Sequence, residues 1–227
     1  MAGCKVKTQR PNARNRALFA AECFGNAQTA LGTMERGCHK FIITRGQFGM
    51  IDLILSILDQ VGPSHVTAWV WSIADWEIQT IEHLIADRRV LSADLLIDYA
   101  SITKKGATIK GWIDRFGPGS VKFIVNHAKI VRIWNDDGWK ICMRGSCNLN
   151  YNPRFEQVDI DDCSPAFDLV AKIEDEIPRC DGLNGKAVYA ASGLGRAYEG
   201  ESKSKLFGKL ALWDQGIEGE QLKTWKP

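Results

Sequence analysis

Residues 126–148 read NHAKIVRIWNDDGWKICMRGSCN. Two apolar runs, Ala128 to Trp134 and Trp139 to Met143, flank Asn135-Asp136-Asp137-Gly138, and the Asp-Gly step is a strong hairpin signal. His127 and Lys129 open the first run; Ser146 and Asn148 follow the second. Side chains alternate faces along a strand, so residues two apart lie together: His127 with Lys129, and Ser146 with Asn148. Pairing through the turn therefore brings an imidazole, an ammonium, a hydroxyl and a carboxamide to one end of a sheet. That set suits a phosphodiester. The lysine supplies charge to non-bridging oxygens, the amide a directional donor, and the imidazole a nucleophile or a proton donor.

The flanking sequence predicts an α/β body. Between Gln47 and Gln60, Ile51, Ile54, Leu55 and Leu58 form one helical stripe, stopped by Gly62-Pro63. His65 to Trp71 is rich in β-branched and aromatic residues, the composition of a buried strand. A second helix follows from Asp75 to Arg89 on Ile78, Ile81, Leu84 and Ile85, then a strand at Ala93 to Asp98 and a third strand candidate at Ala107 to Trp112. The order strand, helix, strand implies a crossover with parallel neighbours. Val121 to Val125 and Gln157 to Ile160 read as strands, and Ala166 to Ile177 as a helix on Phe167, Val170, Ile173 and Ile177, ended at Pro178. The expected fold is a mixed β-sheet flanked by helices.

The chain has 227 residues, 45% hydrophobic and 25% charged, which excludes a disordered or fibrous protein. At this length about 70% of the unfolded surface can be buried, so a self-sufficient core is expected. The net charge of +2 conceals asymmetry. Lys5, Lys7, Arg10, Arg14 and Arg16 fall in a stretch to Ala21 without acids, whereas Glu156 to Glu176 holds eight acids and only Lys172. Residues 1–16 read as a flexible basic arm and residues 17–180 as the body. Residues 181–227, with eight glycines, read as an extension that packs on the body or a partner. Seven cysteines without a C-x-x-C pair point to reduced thiols. The longest apolar stretch, Met50 to Leu58, is far short of the roughly 20 residues of a membrane span. The opening Met-Ala-Gly-Cys-Lys lacks the apolar core of a secretory signal. A cytoplasmic protein without a membrane partner is expected.

The run from Asn126 to Glu156 resembles the phospholipase D superfamily, whose pattern is H-x-K, a short hairpin, G-S-x-N and then a glutamate. The matching residues are His127, Lys129, Gly145, Ser146, Asn148 and Glu156. The resemblance implies a metal-independent reaction that needs no cofactor. One histidine attacks phosphorus to form a phosphohistidine, a second protonates the leaving oxygen, and water resolves the intermediate. Two motifs are then required, and this chain carries one, which implies a homodimer that places two copies of His127 across a two-fold axis. The family glutamate, here Glu156 with Asp159 as the alternative, would accept a hydrogen bond from the far imidazole nitrogen. Ser146 would support the phosphate pocket. Trp134 stands where the family often has an aspartate. Single-motif members are typically nucleases, so DNA is the expected partner. The alternatives are a phospholipase and a catalytically silent module that holds nucleic acid or a partner protein.

The other features read as structural. His39, His65 and His83 lack the motif's setting, and His39-Lys40 would put two adjacent side chains on opposite faces of a strand. Asp159, Asp161 and Asp162 read as a strand end leading into a helix rather than a metal site. Trp69, Trp71, Trp76 and Trp112 read as core; Trp134 and Trp139 are expected to flank the site, with core packing the favoured reading and stacking on a base or a lipid glycerol the alternative.

Overall fold

The computed structural model describes residues 5–9, 18–23, 25–98, 101–150 and 152–177; the extension expected at 181–227 lies outside them. The strands are β1 (Lys5–Gln9), β2 (Leu18–Cys23), β3 (His39–Thr44), β4 (Ser64–Val70), β5 (Val90–Asp98), β6 (Val121–Ile124), β7 (Lys129–Trp134), β8 (Lys140–Gly145) and β9 (Glu156–Asp162). The helices are α1 (Ala27–Leu31), α2 (Met50–Val61), α3 (Asp75–Ala86), α4 (Ser101–Phe116) and α5 (Pro165–Glu176). All nine strands join one mixed sheet in the order β1-β2-β3-β9-β8-β7-β4-β5-β6.

The expected hairpin forms, with Lys129 opposite Gly145 and Trp134 opposite Lys140. Gly138 takes φ +85°, which only glycine adopts without strain. The expected crossover is β4-α3-β5, with parallel pairing. A second parallel crossover, β5-α4-β6, replaces the strand expected at Ala107 to Trp112. That short apolar run belongs to a helix because Ile109 and Trp112 recur at helical spacing, and both are buried. Within the segment expected as a flexible arm, Lys5–Gln9 pairs antiparallel with β2 at the sheet edge; the reading from polarity alone missed this edge strand.

Alternation assigns the two faces of the sheet. Val66, Leu95, Val131, Ile141, Val158 and their neighbours pack against α1 to α4 in the main core. Trp69, Leu96 and Ile124 pack against Val170 of α5 on the other face. A polar network pins α5 there. The Glu174 carboxylate accepts from Thr67 Oγ1 at 2.8 Å, Trp69 Nε1 at 2.7 Å and Arg132 Nε at 3.0 Å, and Lys122 donates to the Glu174 carbonyl. Burial of this charge is tolerable because every neighbour is a donor.

The strand directions put the carboxyl ends of β3, β4, β5, β6 and β8 and the amino ends of β7 and β9 at one edge of the sheet. Both halves of the sequence motif emerge at that edge.

Candidate active site

His127 lies in the short loop between β6 and β7, exposed, and two residues later Lys129 begins β7 with its side chain buried. The Lys129 ammonium sits 3.4 Å from both ring nitrogens of His127 and donates to the His127 carbonyl at 2.8 Å. The expected pairing of these two residues is therefore what the chain adopts. Burial lowers the Lys129 pKa from that of a solvated lysine, and the field of Glu156 partly opposes the shift. Among the described residues Lys129 forms no ion pair.

The loop that carries His127 is held by residues the sequence reading passed over. Asn126 Oδ1 accepts from the Ala128 amide at 2.8 Å, an Asx turn around His127. Its Nδ2 reaches the carbonyls of Val70 at 3.3 Å and Ala128 at 3.1 Å. Asp98, at the end of β5, accepts from the Asn126 amide at 2.8 Å. An asparagine immediately before H-x-K was the available signal, since asparagine bonds to its own backbone two residues on.

The second half of the motif is braced onto β9. Gly145 has no alternative: a Cβ there would lie 2.0 Å from the Gln157 carbonyl oxygen. The close approach lets the Ser146 amide donate to that oxygen at 3.0 Å and the Gln157 amide donate to Ser146 Oγ at 3.0 Å. Ser146 Oγ donates in turn to the Glu156 carboxylate, which also accepts from Asn152 Nδ2 at 3.2 Å. The carboxylate expected to orient the His127 ring thus has Ser146 and Asn152 as its hydrogen-bond partners, and its charge reaches Lys129 through space. Asn148 Oδ1 is buried without a partner, and the Asn148 and Leu149 carbonyls accept from the first amides of α2, Met50 at 3.3 Å and Ile51 at 3.4 Å. Cys147, the variable position of the motif, is a buried thiol pushed up to about 12 by burial and by the Glu156 charge. It stays protonated at neutral pH and is not a nucleophile.

The structure changes several expectations. Asp159, the alternative orienting carboxylate, lies one position out of phase with Glu156 and Val158 and so faces the other side of the sheet, where it meets His39 Nε2 at 3.3 Å. The other acids also have partners: Asp161 pairs with Arg144 at 2.6 Å, and Asp162 accepts from the amides of Gly37 at 2.8 Å and Lys140 at 3.1 Å. Lys40 points away from His39, as the alternation requires, and donates to the carbonyls of Leu31 at 2.8 Å and Thr33 at 2.6 Å. Trp134 and Trp139 do not flank the site. They sit at the turn end of the hairpin, about 17 Å along the strand from Lys129, where Trp134 stacks on His65 with ring centroids 5.3 Å apart. Trp134 therefore lies away from the site end of the hairpin. Trp69 and Trp112 are buried, but Trp71 and Trp76 are exposed. Trp71 follows β4 directly and lies 6.3 Å from His127 between ring centroids.

No protein-family model matches the chain, and no curated protein matches it. Among solved structures, it is similar to Nuc, a phospholipase D family member from Salmonella typhimurium, at 16% identity and a TM-score of 0.40 over 60% of this chain and 93% of that one. It is also similar to yeast tyrosyl-DNA phosphodiesterase at 9% identity and a TM-score of 0.37 over 55% of this chain and 46% of that one. No helix among the described residues is long and apolar enough to cross a membrane.

Proposed function

We propose that the chain is a metal-independent phosphodiesterase, a DNA nuclease that works through a phosphohistidine at His127 in a homodimer. The observation that carries this reading is Lys129: a buried ammonium without a carboxylate partner, held against an exposed imidazole. A buried cation is costly unless an anion meets it, and a phosphodiester bound at His127 is that anion.

The chemistry follows from the groups present. A ring nitrogen of His127 attacks phosphorus, the P–N bond forms and the P–O bond to the leaving group breaks. The leaving oxygen takes a proton from His127 of the partner subunit. Water then attacks phosphorus and gives its proton to that same imidazole as the P–N bond breaks, which restores both rings. Lys129 stabilises charge on the non-bridging oxygens. The Asn148 carboxamide has one buried end without a partner, and with its NH2 turned there it donates to a phosphate oxygen. Ser146, Glu156 and Asn152 hold that strand end in place.

DNA is favoured over lipid by the basic residues Lys5, Lys7, Arg10, Arg14 and Arg16 and by the exposed cations Arg45, Lys104, Lys105 and Arg154 that surround the site edge. Val125, exposed beside His127, supports a two-fold contact at this edge.

The test is plasmid DNA incubated with the protein in excess chelator, beside His127→Ala and beside vesicles of labelled phospholipid. Nicking by the native protein that disappears in His127→Ala is the expected result, together with a dimer mass on gel filtration. DNA retained in gel shifts but never cut would make the chain a silent binding module, and headgroup release without DNA cleavage would make it a phospholipase.

A further inference from the structure

Beside His127 stands an aromatic side chain with no structural partner that accounts for its exposure. Trp71 is 40% exposed, yet its backbone is fixed on both sides. Ser101 Oγ donates to the Trp71 carbonyl at 2.6 Å, and Asn126 Nδ2 donates to the carbonyl of Val70 at 3.3 Å. The same asparagine side chain turns the His127 loop, so indole and imidazole hang from one rigid unit with their centroids 6.3 Å apart. Lys104, exposed in the first turn of α4, carries its ammonium 5.7 Å from the indole centroid. Trp76 is also exposed, but it lies in α3, and among the described residues neither a cation nor a site residue meets its ring.

We propose that Trp71 and Lys104 form a subsite for the nucleotide next to the scissile phosphate, with its base stacked on Trp71 and its outer phosphate met by Lys104. The inference rests on the phosphodiesterase reading and deepens it, because it names the substrate as unpaired, single-stranded nucleic acid. In a duplex both faces of every base are covered by its neighbours, so an indole gains a face only where a strand is single or a base has left the stack. Stacking on tryptophan is indifferent to base identity, so the subsite confers strand preference without sequence preference. The ring separation matches what such a subsite needs: a phosphate held at His127 leaves its own nucleoside within reach of the indole. Lys104, whose ammonium lies over the indole ring and so leaves the opposite face to a base, adds charge where the chain continues.

The experiment compares three labelled probes of equal length on the full chain: an oligothymidylate, the same backbone with abasic residues throughout, and a duplex of mixed sequence. Anisotropy in chelator gives the dissociation constants, and cleavage is followed in parallel. The native protein should bind the oligothymidylate more tightly than the duplex. Trp71→Ala should weaken that binding roughly 5- to 150-fold, with no effect on the abasic strand and with Trp71→Phe retaining most of the affinity. Equal weakening of all three probes, or none, overturns the subsite, as does conversion of Trp71→Ala to a monomer, which would make Trp71 a dimer contact. Cleavage of DNA without a Trp71 effect thus defeats the subsite alone. Trp71-dependent binding without cleavage defeats the phosphodiesterase reading alone, and absence of binding by the native protein defeats the subsite together with the DNA substrate.

Discussion

Lys129 and Arg132 lie three residues apart on β7, equally buried, on opposite faces of the sheet. Arg132 is surrounded by its answer: Glu174 receives two of its N–H groups, and the ring centroids of Trp134 and Phe167 each lie 4.7 Å from its guanidinium carbon. Lys129 has a backbone carbonyl and an imidazole. One cation completes a structure, and the other is the one assigned, in the proposed function, to the phosphodiester. The residue types alone do not separate these roles; what separates them is whether the fold brings a carboxylate within reach.

The contrast breaks first on the paired side. Glu174→Ala leaves Arg132, the Thr67 hydroxyl and the Trp69 indole N–H buried without an acceptor, and should lower unfolding free energy by about 3–5 kcal/mol. A urea titration with unchanged slope and a shifted midpoint checks it. The folded fraction should keep its specific activity. On the unpaired side the pattern reverses. Lys129→Met removes a desolvated charge and one hydrogen bond, so stability should stay within about 1 kcal/mol of the parent, while kcat on DNA falls roughly a hundred- to a thousandfold. If the two substitutions affected stability alike, the assignment of Lys129 as an anion receptor would fail.

The smallest effect sharpens the comparison by pH. Because burial lowers the Lys129 pKa, its ammonium loses its proton at a lower pH than a solvated lysine does. The alkaline limb of the rate profile should therefore fall earlier than lysine's ordinary value predicts, and Lys129→Arg, which keeps the charge, should move that limb upward. A limb that stays fixed in Lys129→Arg assigns it to another group.

The hairpin and the pairing of His127 with Lys129 were legible because alternation and the Asp-Gly turn act over a few residues; the register, Trp134 opposite Lys140, was not, because it depends on how many residues the turn takes up. The α2 stripe and the first crossover were legible for the same reason. The strand edge at Lys5–Gln9 was not, because a polar strand at a sheet margin has no apolar alternation to display. Helix α4 was misread where Ala107 to Trp112 is too short to separate period 2 from period 3.6. In the site, Glu156 was named through the family resemblance, and its partners were not foreseen. Ser146 and Asn152 reach it only because β9 lies against Gly145, a pairing between segments that local pattern does not encode. Trp71 was assigned to the core on composition, since hydrophobicity reports that a residue prefers burial and not whether the fold grants it.

The contact between the amino end of α2 and the carbonyls of Asn148 and Leu149 ties the shape of the candidate site to assembly of the fold. The first free N–H groups of that helix, which elsewhere attract anions, are occupied here by the backbone of the motif itself. The segment bearing Asn148 consequently cannot adopt its working shape until the helix has docked, and the helix cannot satisfy its first turn until that segment is in place. The two events are coupled, so loosening of α2 would disturb the Asn148 segment while leaving the His127 loop, which hangs from Asn126 and Asp98, in place.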